Sequence, residues 1–290
     1  MPGRKRRNIQ TLRAQWLGQQ LRELRENAGL TLKEAGEYVQ RNLSAISRYE
    51  TAQWPIRRGD VLGLLDLYGV ADERERKRLI ELADDVWRTD EWDREYGELI
   101  DRSFIDVPWL ESRADLVCSY DVIHVPGLLQ TKEYAEAVIR GVEGPDARLG
   151  LVERGVALRL DRQRVLDGRQ PTRLDAIVDE AALRRHVGGA AVMRGQLAHL
   201  VTQARRRHIT LRVMRYAAGA HPGFFGAFRV FGLPHPYPEV GYVESLGGRL
   251  YLEPPTSARF VQAYDRLCQA ALDPAASADL IATIAEDFDE

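Results

Sequence analysis

Cysteine is scarce: Cys118 and Cys268 are the only two in 290 residues. They lie far apart, form no metal-type spacing, and are expected to be reduced, buried thiols of a cytosolic protein. Lysine is scarcer than its partner arginine, with four lysines among 41 basic residues. Such a bias can follow from GC-rich coding, so arginine abundance carries no functional weight. No run of 18 or more apolar residues occurs, which excludes a membrane-spanning helix. The N-terminus, Met1-Pro2-Gly3-Arg4-Lys5-Arg6-Arg7, is basic, but no apolar signal-peptide core follows it. The six histidines, His124, His186, His199, His208, His221 and His235, show no metal-ligand spacing. There is no nucleophile elbow, P-loop or dinucleotide fingerprint. Neither a metal nor a cofactor is expected, and the chain does not read as an enzyme. The adjacent carboxylates Asp179 and Glu180 follow a strand and would point to opposite faces if both lay on it, so a helix cap is expected of Asp179.

What is present is a two-domain globular chain, 44% hydrophobic and 29% charged. Its net charge of -2 is unevenly spread. Residues 1–60 hold twelve basic and six acidic side chains and are +6, which leaves the rest at -8. A basic head on an acidic body suits an anionic partner for the head. Within that head Leu17, Leu21, Leu24 and Ala28 recur at helical spacing, and Gly29 ends the helix. Thr31 and Glu34 form a capping box, with Ala35, Gly36 and Val39 on the inner side of a second helix. Gln40-Arg41 make a turn, and Asn42 caps a third helix over about 43–51. Ile46 and Tyr49 face inward there, leaving Leu43, Ser44, Ser47 and Arg48 outward. Trp54-Pro55 breaks the chain before a fourth helix that carries Val61, Leu64, Leu65 and Tyr68. Two short helices joined by a tight turn, the second with a polar outer face, are what reading a DNA major groove requires. The bland alternative is a helical bundle that contacts only protein.

The segment Leu17-x3-Leu21-x2-Leu24-Arg25-x3-Gly29-Leu30-Thr31-x2-Glu34-Ala35, then Leu43-Ser44-x-Ile46-Ser47-Arg48-Tyr49-Glu50, resembles the Xre (Cro/phage-repressor-like) helix-turn-helix. The resemblance implies double-stranded DNA as partner, with Ser44, Ser47 and Arg48 facing base edges and Leu43 beside a thymine methyl. Arg48 suits guanine, whose O6 and N7 match its planar fork. Thr31, Lys33 and Asn42 at helix N-termini, with Arg57 and Arg58 before the fourth helix, are expected on phosphates. Two positions depart from the pattern: Gln40 in the turn and Ala52 after the third helix stand where the family usually has glycine. Both are expected to re-aim the helix slightly.

The chain divides into a basic arm (1–12), the helix-turn-helix domain (13–70), an amphipathic helical connector (71–103) and a larger domain (104–290). Arg4 to Arg7 read equally as an arm that tracks DNA or as a solvated tail. In the connector Leu79, Leu82, Ala83 and Val86 recur at helical spacing, and Trp87, Trp92 and Tyr96 continue nearby. Beyond it, strands are expected at 116–122, 173–178, 209–215, 226–230, 241–245 and 249–252. Helices are expected from Thr131 to about 140, then at 146–166, 190–206, 256–271 and 275–285. The fold class is therefore a mainly α N-terminal helix-turn-helix domain plus a larger α+β domain with a partly antiparallel sheet. His221, Phe224, Phe225 and Tyr242 are the candidates there for a ligand pocket or partner contact, with a loop merely shaped by Gly and Pro as the alternative.

Val125-Pro126-Gly127-Leu128-Leu129-Gln130-Thr131-x2-Tyr134-Ala135, Asp179-Glu180-Ala181-Ala182-Leu183-Arg184-Arg185-x-Val187-Gly188-Gly189, Ala218-Gly219-Ala220-His221-Pro222-Gly223 and Tyr242-Val243-Glu244 resemble the C-terminal domain of a large set of actinobacterial Xre regulators. That domain has no established chemistry. The resemblance implies a DNA-binding regulator, dimeric and cytoplasmic (nucleoid-associated when on DNA). Its body would sense a small molecule or bind a small partner protein encoded nearby. The alternative is an antitoxin-like protein that mainly binds that partner and autoregulates its operon.

Overall fold

Thr11 starts the first helix, α1 (Leu12–Asn27), by accepting the Ala14 N–H on its hydroxyl at 3.2 Å. α1 thus begins five residues before the apolar stripe at Leu17, and Trp16, Leu17 and Leu21 are buried along it. The computed structural model describes residues 11–96, 106–144, 148–235 and 237–288. The chain divides into two compact units, Met1–Asp106 and Val107–Glu290.

In the first unit Gly29, at φ +69°, releases the chain from α1 into α2 (Leu32–Tyr38). Both halves of the Thr31/Glu34 capping box are formed. Gln40 takes a left-handed φ of +57° to turn the chain into α3 (Leu43–Glu50), and Asn42 caps α3 through Oδ1, which accepts from Ala45 at 2.8 Å. Gly36, on the inner side of α2, has no room for a side chain. What comes close is the turn itself: a Cβ at position 36 would lie 2.7 Å from the Arg41 carbonyl oxygen. Ala52 leaves α3 at φ +54°. α4 (Arg58–Leu67) packs on α2 and buries Val61, Leu64 and Leu65, as α3 buries Ile46 and Tyr49. Each such aliphatic chain contributes roughly 1.5–3 kcal/mol by leaving water. α5 (Glu73–Tyr96) packs on α1 and α4, and its Leu79, Leu82, Ala83 and Val86 are buried. The residues expected as a connector therefore belong, where described, to the first unit. The side chains of Trp92 and Tyr96, and the arm residues Arg4 to Arg7, lie outside the described residues.

The second unit holds a six-stranded sheet in the order β3-β2-β1-β4-β5-β6. The strands are β1 (Leu116–Asp121), β2 (Arg173–Asp179), β3 (Ile209–Met214), β4 (Phe228–Gly232), β5 (Val240–Ser245) and β6 (Gly248–Leu252). β1, β2 and β3 are parallel, while β4, β5 and β6 run antiparallel from β1 outward. Parallel pairing needs long crossovers. The first is made by α7 (Lys132–Glu143) and α8 (Leu149–Gln163), the second by α9 (Glu180–Arg184) and α10 (Ala190–Gln203). α6 (Asp106–Arg113) precedes β1, and α11 (Ser257–Ala270) and α12 (Pro274–Glu286) follow β6. The expected mixture of helices with a partly antiparallel sheet is what the chain forms. β4 starts two residues later than expected, because Gly226 at φ +112° still closes the 3-10 turn Pro222–Phe225.

One sheet face packs Tyr120, Ile177, Met214, Phe228 and Val230 against Tyr264 and Leu267 of α11. On the other face Glu111 of α6 and Arg162 of α8 meet in a buried bidentate pair at 2.8 and 2.6 Å. The outer edge of β3 is covered where Val213 donates to Ser277 and accepts from Leu272. Asp179 caps α9 by accepting from Ala181 at 2.9 Å, as expected, while Glu180 accepts instead from Arg184 and the Tyr216 N–H.

Candidate nucleic-acid interface

Polar ties hold α3 at both ends. At its C-terminal end Glu50 receives the Arg25 fork, Nε at 2.6 Å and Nη2 at 2.9 Å, and Arg25 also donates to the Leu30 carbonyl at 2.9 Å. That hydrogen-bonded pairing raises the Arg25 guanidinium above its ordinary pKa. At the turn, Arg41 clasps Asp60 of α4 with bonds of 3.0 and 3.1 Å, and Tyr49 donates to the same carboxylate at 3.2 Å. Such bidentate pairs fix orientation as well as distance. Arg25 and Glu50 stood in the sequence motif without an assigned role, and Asp60 was not singled out.

With Ala45, Ile46 and Tyr49 buried, α3 turns Leu43 and Ser44 to solvent, with Ser47 and Arg48 half-exposed beside them. The guanidinium of Arg48 lies 4.2 Å from the ring centre of Trp54, itself exposed. Stacking of this kind is worth about 0.5–1 kcal/mol at an open site. It limits the arcs available to a long side chain and aims it. Trp54 had been read only as a chain breaker; its position six residues after Arg48 was the available signal.

The expected phosphate contacts divide. Arg57 is exposed and pairs with no carboxylate among the described residues, whereas Arg58 pairs with Asp84. Lys33 is exposed, with Glu37 3.8 Å away. Thr31 donates both its N–H (2.8 Å) and its hydroxyl (2.7 Å) to Glu34, whose carboxyl these bonds hold below its usual range. The start of α2 therefore already carries a carboxylate. Asn42 spends Oδ1 on its cap, and α3 offers its first backbone N–H groups there.

Two comparisons match this chain to known domains. Residues 16–79 match a helix-turn-helix domain, which supports a DNA-binding regulator, a class usually without enzymatic activity. Residues 104–283, more than half of the chain, match a domain of unknown function, DUF5753. The chain belongs to the DUF5753 family. No curated protein and no solved structure matches it. Among the described residues no helix is long and apolar enough to cross a membrane.

The DUF5753 unit does not gather His221, Phe224, Phe225 and Tyr242 into one place. His221 accepts the Gly223 N–H at 3.1 Å and packs edge-on against Tyr120 and Phe224, on the sheet face covered by α11. Phe224 and Phe225 are exposed. Tyr242 is buried on the opposite face of the sheet, where it donates to Glu244 at 3.1 Å. It lines a cleft of about 160 Å³ with Asp121, His124, Phe228, Arg229 and Glu244. Residues on neighbouring strands share a face only when the register pairs them, and His221 lies in the turn before β4.

Proposed function

We propose that this chain is a sequence-specific transcription regulator of the Xre type, cytoplasmic and homodimeric, whose DUF5753 unit senses a small molecule or binds a small partner protein. The observation that carries the DNA half is the outer face of α3. Leu43, Ser44, Ser47 and Arg48 form one surface on a helix anchored at both ends, with Arg48 aimed by Trp54. In a dimer two such helices would enter successive major grooves about 34 Å apart. Ser44, Ser47 and Arg48 would read bases, and Leu43 a thymine methyl. Arg57, Lys33 and the N-terminus of α3 at Asn42 would hold phosphates, with Arg58 joining if it leaves Asp84 and Thr31 contributing least.

The test is fluorescence anisotropy of the purified chain on its own upstream DNA and on scrambled DNA, at two salt concentrations. Arg48→Ala is expected to lose about 1–3 kcal/mol on the native sequence alone. Arg57→Ala should weaken both DNAs alike and lower the salt slope by about one. Equal, weak, salt-steep binding to both DNAs with no effect of Arg48→Ala would sink the reading.

The antitoxin-like alternative is favoured by one observation: the adjacent exposed aromatics Phe224 and Phe225 of the second unit. Co-expression with the product of the neighbouring reading frame tests it. Copurification that is lost in Phe225→Ser supports a protein partner, and separate elution removes that alternative.

A further inference from the structure

The register of the second unit lays a polar row across a sheet face that ought to be apolar. Ser119 on β1 pairs with Arg229 on β4, Arg229 pairs with Tyr242 on β5, and Tyr242 pairs with Tyr251 on β6. Two residues further along β1 and β5, Asp121 and Glu244 share the same face. The cleft opens here, at the carboxyl end of β1, where the parallel half of the sheet meets the antiparallel half. The crevice beyond the carboxyl ends of parallel strands is a common place for ligands.

The charges in this region do not close on one another as they do elsewhere in the same chain. Arg25 with Glu50 and Arg162 with Glu111 form complete forks with bonds of 2.6–2.9 Å. Arg229, by contrast, stands 3.8 Å from Asp121 and 3.9 Å from Glu111, beyond hydrogen-bonding distance of both. Asp121 is 3% exposed, and no described protein group donates to its Oδ2. Nearby, Arg159 donates to the Gln130 side-chain oxygen at 2.7 Å and, among the described residues, bonds to no carboxylate. Glu111 is already consumed by Arg162 and Glu244 pairs with Arg249, so Arg159, Arg162, Arg229 and Arg249 face three carboxylates, Glu111, Asp121 and Glu244, and the cluster is one negative charge short. Burying unmatched charge is costly. The arrangement therefore lacks an anionic acceptor for Arg229 and a donor for Asp121, side by side. A single water needs about 10–15 Å³ by this measure, and the cleft offers about 160 Å³. The rest of its wall includes His124 and the apolar residues Ile123 and Ala227.

We propose that this cleft binds a small zwitterion of the α-amino acid class, with its carboxylate on Arg229, its ammonium on Asp121, and its side chain against Ile123 and Ala227. An amino acid carries its two charged groups close enough together to meet both residues at once. The Tyr242 ring, 5.8 Å below the Arg229 guanidinium, holds that side chain in place. This deepens the sensing reading and depends on it only for the effect on DNA; occupancy of the cleft is decided without DNA.

The experiment uses the full chain with six free L-amino acids (glycine, leucine, glutamine, phenylalanine, arginine and aspartate). Each is added at up to about 10 mM and followed by thermal shift and calorimetry. Each amino acid is paired with its N-acetyl and carboxamide derivatives, and with sodium acetate and ammonium chloride as controls. At least one free amino acid should bind saturably, and blocking either end should weaken it about tenfold or more. Asp121→Asn should lose the preference for a free ammonium while keeping that for a carboxylate. If no free amino acid outbinds its blocked forms, or if acetate alone does as well, the proposal is overturned. It is equally overturned if Asp121→Asn melts like the parent and binds like it. Should that variant not fold, the comparison of free with blocked ligands on the native chain decides alone. Adding the bound amino acid to the DNA assay is a separate arm: unchanged DNA affinity removes the sensing reading and leaves the cleft assignment standing.

Discussion

Replacing Glu50 by alanine should unfold much of the margin of the first unit. The Arg25 and Glu50 side chains are only 9% and 6% exposed, and Arg25 gives three hydrogen bonds, two of them to Glu50. Glu50→Ala leaves a buried guanidinium with the Leu30 carbonyl and only the half-exposed Glu26, 3.5 Å away, and stranding one partner of a buried pair costs about 3–5 kcal/mol. The exposed pair Arg22–Glu26, 60% and 51% exposed, supplies the contrast. Its loss should change stability little, because water already screens it. Exchanging both buried partners, Arg25→Met with Glu50→Leu, removes the charge problem altogether and should come within about 2 kcal/mol of the parent. Large single effects with a small double effect mean strong coupling, which a double-mutant cycle isolates. Denaturant unfolding followed by tryptophan fluorescence is the assay. Trp16, Trp54, Trp87 and Trp92, four of the five tryptophans, lie in the first 106 residues, so the signal reports mainly on the first unit. In a unit of this size each kcal/mol moves the melting temperature by about 4–8 °C, so thermal melts provide a check. A Glu50→Ala variant within about 1 kcal/mol of the parent, or single effects that simply add in the double variant, would refute the argument that this pair anchors α3.

Other consequences concern backbone, packing and pH. Gln40 is exposed at φ +57°, so Gln40→Gly should stabilise the chain by about 0.5–1 kcal/mol in the same unfolding assay. Ala52→Gly relieves a similar φ but removes a methyl that is almost wholly buried, worth about 0.8 kcal/mol, and should be near neutral. Gly36→Ala pushes a Cβ against the Arg41 carbonyl and should cost about 1–3 kcal/mol or more, with a loss of DNA binding as the turn shifts. Burial, reinforced by Asp175, pushes the Cys118 thiol up to about 12 from an ordinary value of 9.0. Because the folded value is the higher one, this contribution is intact below pH 9 and is lost as the pH climbs from 9 towards 12. Burial also raises Tyr120 and Tyr264, so alkaline melts should fall steeply, and Cys118→Ala should flatten the part of the fall that begins near pH 9.

The helix-turn-helix was legible because every interaction that specifies it is local. Thr31 and Glu34, Asn42 and Ala45, and the Ile46/Tyr49 inner face lie within four residues of their partners. The longer ties were less visible. Arg25 and Glu50 are 25 positions apart, and nothing in helical periodicity says that two charged residues will turn inward to meet. The short α6 escaped notice because a proline in its first turn, Pro108, reads as loop although that position tolerates it. The left-handed turn at Gln40 hides for the opposite reason: glycine would advertise it, and glutamine does not.

The cleft shows where legibility ends. Asp121, Arg229, Tyr242 and Glu244 sit on strands that were each recognisable alone, yet their meeting depends on two antiparallel registers and on a β1–β4 pairing across more than a hundred residues. A shift of one residue in either register would send Arg229 or Tyr242 to the α11 face and dissolve the site. Composition was silent as well, since an arginine-rich chain offers no reason to single out Arg229. What distinguishes it is how its charge is met. Arg162, on the same sheet face, is matched atom for atom by Glu111, while Arg229 has two carboxylates within 4 Å and bonds to neither. A fold that can close ion pairs so completely elsewhere leaves this one open at a cleft mouth, which is why the open pair, rather than the abundance of arginine, carries the argument for a ligand.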